Sequence, residues 1–449
     1  MNKDEQVRKY RVYTTSNMDS IEQLKQLDPA LRLEMKAVAS VLPFRVNQYV
    51  IDELIDWSRV PDDPIFRLTF PQPGMLEDDV LESMVALLKR KARPEEIRAE
   101  ADRVRLSLNP HPSGQLEHNL PRLADGTPLK GLQHKYEDTC LVFPSQGQTC
   151  HSYCTYCFRW AQFVGMEDLK FAQKEMDEVL TYLREHPEIS DVLLTGGDPM
   201  VMSSRVLRKY IEPLFAPEFE HVQNIRIGTK SVAYWPHRFV TDKDADDVLR
   251  LFEEVREAGK HVAIMGHYSH PTELSTEIAR SAVCRIRDAG AELRCQAPLI
   301  RHVNDSAEVW ARMWKEQVRL GAVPYYMFVE RDTGPKQYFE VPLARSFRIF
   351  RNACKQVTGL ARTARGPSMS ATPGKILIDG VASVEGQRVF VCSFIRGRNP
   401  DWIRRPFFAQ FDETACWLDD LRPAFGEDSF FFEREDAAAS RRSISRAAS

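Results

Sequence analysis

Cys150, Cys154 and Cys157 read C-x3-C-x2-C on one short stretch, and no fourth cysteine lies nearby to complete a set. Thiolates are the usual protein ligands of iron–sulfur clusters, and a complete cubane takes four. Three on one loop leave one iron without a protein ligand. An open iron can bind a substrate or cofactor, so the motif points to chemistry rather than electron storage. A closed zinc site is the alternative, but it wants four ligands, and His151 stands too close to Cys150 to be a comfortable fourth. Tyr156, one residue before the last cysteine, either lays its ring over a ligand on the open iron or fills the core.

The next chemical signal is Gly196-Gly197-Asp198. Two glycines at a strand end let backbone approach a ligand closely, where main-chain groups can hold an amino acid's ammonium or carboxylate, and Asp198 adds an acceptor. A plain turn is the alternative. Lys230 is expected to be solvated, and His270, beside Pro271, to make a strand-end polar contact.

From about 138, short apolar runs alternate with amphipathic ones. The runs are TCLVF (139–143), DVLLT (191–195), NIRIG (224–228), HVAIM (261–265), ELRCQA (292–297) and VPYYMFV (323–329). Helical patterns lie around 172–186, 203–215, 243–258, 273–289, 307–320 and 343–358. Strands alternating with helices imply βαβ units and a parallel sheet. The fold class is α/β, and six units suit an incomplete (β/α) barrel or an open doubly wound sheet. Either way chemistry gathers at the carboxyl ends of the strands, where the cysteine loop, the Gly-Gly-Asp turn, His267, Gln296 and Asp332 all fall. The first ~135 residues read as mainly helical, with periodic stretches near 32–42, 47–57, 76–91 and 94–106. After 360 come β-like pieces, KILIDGVASV and RVFVCSFI, and from 431 a tail expected to be disordered.

Composition narrows the classes. Hydrophobic residues are 43% and charged residues 28% of 449, the balance of a soluble globular chain. A net charge of −3 predicts neither nucleic acid nor an anionic membrane as partner. No apolar run is long enough to span a bilayer, the start lacks a secretory core, and nine cysteines without such a signal point to the reducing cytoplasm. Cys140, Cys284, Cys295, Cys354, Cys392 and Cys416 are expected to be small buried apolar residues.

C-x3-C-x-aromatic-C followed by a Gly-Gly-Asp strand end resembles the radical S-adenosylmethionine enzymes. In that family the open iron of a 4Fe–4S cluster binds S-adenosylmethionine, whose cleavage yields a 5′-deoxyadenosyl radical. More narrowly, NIRIGTK, HYSHPTE, QAPLIRHVND and the PGK segment resemble the lysine 2,3-aminomutase family across roughly 130–380. The resemblance implies a partial (β/α)6 TIM-like barrel at 136–360, a helical region at 1–135 and a C-terminal segment at 361–430.

It further implies that Tyr156, Gly196, Gly197, Asp198, His267 and Gln296 contact S-adenosylmethionine. Arg159 would pair with the substrate carboxylate, and Lys375 would hold pyridoxal 5′-phosphate as a Schiff base while an amino group migrates between adjacent carbons. The substrate is a small amino acid. The reductant is an external one-electron donor such as flavodoxin or ferredoxin, and monomer and homo-oligomer both stay open.

Several positions depart from that family. Its pyridoxal-phosphate arginine falls on Thr139, with Arg362 or Arg365 as substitutes, and its glycine run is reduced to Gly374. Of two aspartates that clamp the substrate's amine, one matches Asp332 and the other falls near Ala371. The zinc-binding cysteine is Ser306. A radical enzyme without pyridoxal phosphate (an epimerase, a dehydrogenase or another rearrangement) is the rival reading, and a non-catalytic iron–sulfur protein a third. For Lys375 the alternative is a surface lysine after a Pro-Gly turn.

Overall fold

The computed structural model describes residues 8–112, 119–165, 172 and 176–437. Near the start, β1 (Val12–Thr14) and β2 (Arg45–Asn47) pair antiparallel. All later strands join one eleven-stranded sheet whose spatial order is the chain order. These are β3 (Leu132–Tyr136), β4 (Thr139–Val142), β5 (Asp191–Leu194), β6 (Asn224–Thr229), β7 (His261–His267), β8 (Glu292–Leu299), β9 (Val323–Val329), β10 (Arg365–Ser370), β11 (Gly374–Val384), β12 (Gln387–Gly397) and β13 (Pro406–Gln410). From β4 to β10 every neighbouring pair is parallel. The pairs β3–β4, β10–β11, β11–β12 and β12–β13 are antiparallel.

Side-chain alternation decides what each face does. In β6, Ile225, Ile227 and Thr229 are buried, whereas Asn224, Arg226 and Gly228 are only half-buried. In β8, Leu293, Cys295, Ala297 and Leu299 are buried while Glu292, Arg294 and Gln296 face the other way. The apolar face packs beneath helices Ala245–Glu257, Glu277–Asp288 and Ala307–Arg319, which bury Val248, Phe252, Val283, Ile286, Trp310 and Trp314. Each such side chain contributes about 1.5–3 kcal/mol. Thr276 and Ser306 cap the second and third of these helices through Ala279 N (3.2 Å) and Val309 N (3.3 Å). Ser306, where the family's zinc cysteine falls, thus serves as a helix cap.

The opposite face is polar and the sheet curls around it, following strand twist. Arg396 of β12 reaches Asp138, and its guanidinium lies 3.3 Å from Thr139 Oγ1 at the far edge. Lys135 of β3 donates to Ala371 O at 2.5 Å. Side chains, not a ladder, bring the two ends of the sheet together.

The N-terminal helices Pro29–Val41, Asp78–Lys89 and Pro94–Ser107 fall where periodicity places them. The stretch at 47–57 is helical in part: after β2, residues 48–54 form a short helix whose turns widen at Val50–Leu54, followed by a single turn at Trp57–Arg59. Asn47 starts this helix, its Oδ1 accepting from Val50 N (3.1 Å) while its buried amide donates to His151 O (3.3 Å) and Tyr234 O (2.8 Å). A second apolar core gathers Met369, Ile376, Phe390, Phe394, Trp402 and Phe407 with Phe430 to Phe432. Residues 431–437 are helical, a correction to a tail starting at 431: three consecutive phenylalanines need cover, and the core supplies it. Residues 438–449 lie outside the described residues. Of the cysteines beyond the loop, Cys140, Cys295 and Cys392 are buried, but Cys354 and Cys416 are half-buried and Cys284 is exposed. No helix of the described residues is long and apolar enough to cross a membrane.

Candidate active site

The cysteine loop follows β4 and is held by backbone rather than by its own regular structure. Tyr153 N donates to Arg45 O (2.8 Å) and Thr155 N to Leu68 O (2.9 Å). Asn47 N donates to Ser152 Oγ (3.0 Å), and the Tyr10 hydroxyl to His151 O (3.0 Å). The three thiols are half-buried. Burial pushes Cys157 up to about 12 and also raises Cys150 and Cys154. Thiols in that state ionise when a metal supplies positive charge, and three of them on one clamped loop fit a cluster. Among the described residues no three His, Cys, Asp or Glu side chains form a single-ion site. The Tyr234 hydroxyl lies 3.4 Å from Cys154 Sγ, and burial holds that phenol well above its usual range.

The Gly-Gly-Asp turn supports this loop from behind. A Cβ on Gly197 would stand 2.5 Å from Thr149 N and O, and one on Gly196, whose φ is +143°, 2.4 Å from Gln148 Nε2. The glycines therefore let the loop's leading residues press against the strand end. Asp198 is buried and its carboxylate is already in use. It accepts from Met200 N (2.9 Å), Thr229 Oγ1 (2.6 Å), Lys230 N (2.9 Å), Ser231 N (3.0 Å) and Ser231 Oγ (2.9 Å). Five donors exhaust two oxygens. Asp198 thereby ties the end of β5 to the turn after β6.

His267 and Gln296 are register partners on β7 and β8, and their Nε2 atoms lie 3.0 Å apart. Burial, with the charges of Lys230 and Arg159, lowers His267 to about 3, so its imidazole is neutral. Tyr156 is buried, with its hydroxyl 3.2 Å from Ser269 Oγ. Lys230 overturns the solvated expectation: it is 9% exposed and pairs with the fully buried Glu273 at 2.7 Å, its ammonium 4.5 Å from the Tyr234 ring centroid. That ion pair braces the residues beneath Cys154. His270 makes the expected local contact, its Nδ1 accepting from Thr272 N at 3.3 Å.

Lys375 begins β11 and turns onto the polar face. Its ammonium lies 4.2 Å from the Tyr326 ring centroid and 5.2 Å from that of Phe328, and burial followed by Arg226, Arg365 and Arg396 lowers it to about 7. This is not a surface lysine. An enclosed amine that sheds its proton near neutrality is a nucleophile, which fits pyridoxal phosphate. Gly374 must be glycine, because a Cβ there would stand 2.2 Å from Arg396 O. Of the proposed arginine substitutes, Arg362 is exposed and spends its Nε on Cys354 O and Val357 O. Arg365 stacks on Tyr325 and Tyr326. Arg396, which the sequence did not single out, stands at Thr139 itself.

Arg159 is 9% exposed and stacks over Phe143 (4.2 Å) and Phe158 (5.1 Å), lowered by burial to about 9. Asp332 Oδ2 lies 3.3 Å from Asn109 Nδ2, while its Oδ1 is buried and, among the described residues, has no hydrogen-bond partner. Lys135, Arg331 and Glu330 complete the wall. Burial, then Arg398, Arg331 and Lys375, lowers Lys135 to about 7, and burial pushes the Glu330 carboxyl well up. Sequence reasoning missed these three; the only signal was their place at strand ends. The recess lined by Phe347, Arg348, Gly380, Arg388 and Phe411 lies elsewhere on the surface.

No family model matches the chain. It is 30% identical over 405 residues to a putative L-lysine 2,3-aminomutase of Aquifex aeolicus, spanning 90% of this chain and 94% of that protein. It is 26% identical over 344 residues to the L-lysine 2,3-aminomutase of Clostridium subterminale, spanning 76% and 70%. Among solved structures, a radical SAM methyltransferase from Sphaerobacter thermophilus aligns over 56% of this chain and 72% of that one, with 14% identity and a TM-score of 0.35. The length and identity of the first match, over the strands that carry the cysteine loop and Lys375, place the chain: it belongs to the lysine 2,3-aminomutase family.

Proposed function

We propose that this chain is a radical S-adenosylmethionine enzyme that moves an amino group between adjacent carbons of an α-amino acid. Cys150, Cys154 and Cys157 would hold a 4Fe–4S cluster. Tyr156, Gly196, Gly197, His267 and Gln296 would border S-adenosylmethionine, and Lys375 would hold pyridoxal phosphate, with Arg396 and Arg365 near its phosphate. When bound, these groups supply a 5′-deoxyadenosyl radical for hydrogen abstraction and a carbonyl carbon for the migrating amine. The chain's own residues position them: Glu273 and Lys230 brace the loop, and Arg159 offers a planar fork to the substrate carboxylate. On this reading the curled sheet is the partial (β/α)6 TIM-like barrel of a core at 136–360, flanked by 1–135 and 361–430. An external one-electron donor such as flavodoxin or ferredoxin serves it in the cytoplasm.

The observation that carries the reading is Lys375: an enclosed amine near 7 on the same polar face that the cysteine loop borders. Anaerobic purification, with iron, sulfide and pyridoxal phosphate quantified, is the test, followed by borohydride reduction. The expected product is a reduced cofactor adduct on Lys375 and 5′-deoxyadenosine with the right amino acid. No reducible adduct, or one unchanged by Lys375→Ala, would sink the reading. Substrate-dependent 5′-deoxyadenosine without the adduct would favour radical chemistry free of pyridoxal phosphate.

A further inference from the structure

The turn after β6 packs against the cysteine loop and is fixed at both ends. Asp198 holds its start through Thr229, Lys230 and Ser231, and at its end Tyr234 O accepts from Asn47 Nδ2 at 2.8 Å. Between them Ser231 Oγ lies 2.8 Å from His151 Nδ1. From this anchored turn the buried Tyr234 hydroxyl reaches Cys154 Sγ at 3.4 Å. A thiol and a phenol can each donate, but a thiolate bound to iron has no hydrogen left to give. With a cluster in place, the phenol is the donor and the sulfur the acceptor.

The ring that carries this hydroxyl is held as well. Lys230 places its ammonium 4.5 Å from the Tyr234 ring centroid. That ammonium donates to Glu273 Oε1 (2.7 Å), Ser269 Oγ (3.2 Å) and His267 O (3.3 Å), three bonds that fix it over the ring. Lys230 and Glu273 act on Cys154 with opposite sign, so as a pair they add little net charge there. Tyr156 approaches the same sulfur, but its hydroxyl is shared with Ser269 Oγ at 3.2 Å. A buried donor this close to a ligating sulfur acts in a low dielectric, where such a contact is strong.

We propose that Tyr234 is a positioning residue for the cluster: its hydrogen bond to the Cys154 thiolate raises the cluster's reduction potential, so that an external one-electron donor of the flavodoxin or ferredoxin class reduces it more readily. The inference rests on the cluster reading of the three cysteines. One electron passes from the donor to the 2+ cluster, giving the 1+ cluster and the oxidised donor, and no proton moves. Part of the added negative charge falls on the ligating sulfurs, where a positioned O–H stabilises it. A redox titration of the anaerobically reconstituted full-length protein tests this, followed by electron paramagnetic resonance and run without S-adenosylmethionine. Wild type, Tyr234→Phe and Tyr268→Phe are compared at equal iron and sulfide content. Tyr268 is the control, a buried tyrosine whose hydroxyl, among the described residues, has no hydrogen-bond partner.

At the wild-type midpoint, Tyr234→Phe should lower the ratio of reduced to oxidised cluster about 10-fold, the scale of a hydrogen bond to a charged group. For one electron that is a midpoint about 59 mV lower. Tyr268→Phe should keep the wild-type midpoint. Replacing Tyr234 by 3-fluorotyrosine keeps the shape and makes the phenol a stronger donor, so the midpoint should move upward. If Tyr234→Phe fails to fold or to load, the fluorinated protein decides. A midpoint that ignores both changes at 234 overturns the inference and leaves the cluster reading standing. So does an equal drop in Tyr268→Phe, which would trace the effect to loosened packing. A wild type with no 4Fe–4S signal retires the cluster reading and overturns the inference with it.

Discussion

At the scale of single residues, proton affinity distinguishes Lys375 from an ordinary lysine. Its amine is lowered from 10.5 to about 7 by burial and by three arginines. Below that value it is an inert ammonium; above it, a nucleophile. The rate at which pyridoxal phosphate forms its adduct should therefore rise with pH and level off with a midpoint close to 7, read by stopped-flow absorbance. A midpoint near 10 would contradict the enclosure. Stability carries the same sign. An unfolded lysine keeps its proton up to 10.5, so between about 7 and 10.5 the unfolded chain binds more protons and the folded state gains as pH rises. Lys135 adds to that trend. Neither shift was legible in the sequence, because Lys135 and Arg396 reach this face from strands more than 200 residues apart. By contrast the three cysteines were legible, since all three ligands sit on one loop.

At the scale of elements, what the sequence revealed and what it hid have the same physical root. Six parallel strands and the helices between them announce themselves by periodicity, since each has one apolar face. The strand β10, RGPSMS, does not: its glycine, proline and serines have no β signature, yet it pairs with β9 and lengthens the parallel sheet. Turn glycines were visible but their purpose was not. Reading Gly196-Gly197 as a ligand cradle missed that Thr149 backbone occupies the space behind Gly197. Gly197→Ala should accordingly displace the cysteine loop, cutting iron and sulfide incorporation several-fold while far-ultraviolet circular dichroism stays unchanged. Gly380→Ala, where a Cβ meets nothing within 4 Å, is the control and should load normally. Equal loading of both variants would show that the loop does not depend on this contact.

At the scale of the whole molecule, the C-terminal strands are part of the frame. β10 is bonded to β9 along one edge and β11 along the other, and Arg396 and Lys135 bridge the sheet's two ends. A chain cut after residue 360 should therefore expose the edge of β9, accumulate as insoluble protein and, where soluble, bind a hydrophobic dye strongly. A soluble, dye-silent fragment would show that the segment is dispensable for folding.

The clamp on the cysteine loop carries a last consequence, one of timing. The groups that hold it (Tyr10, Arg45, Asn47 and Leu68) come from a stretch of chain that is synthesised well before Cys150. The clamp is completed only afterwards, because Asn47 also bonds Tyr234 O and Tyr10 packs on Trp235, so the thiols are covered once the chain around 235 has emerged and folded. Maturation of this protein is thus a race between metal delivery and closure. A cell, or an expression host, starved of iron during synthesis would accumulate a closed and empty form that supplying iron afterwards rescues only by prying the N-terminal region loose.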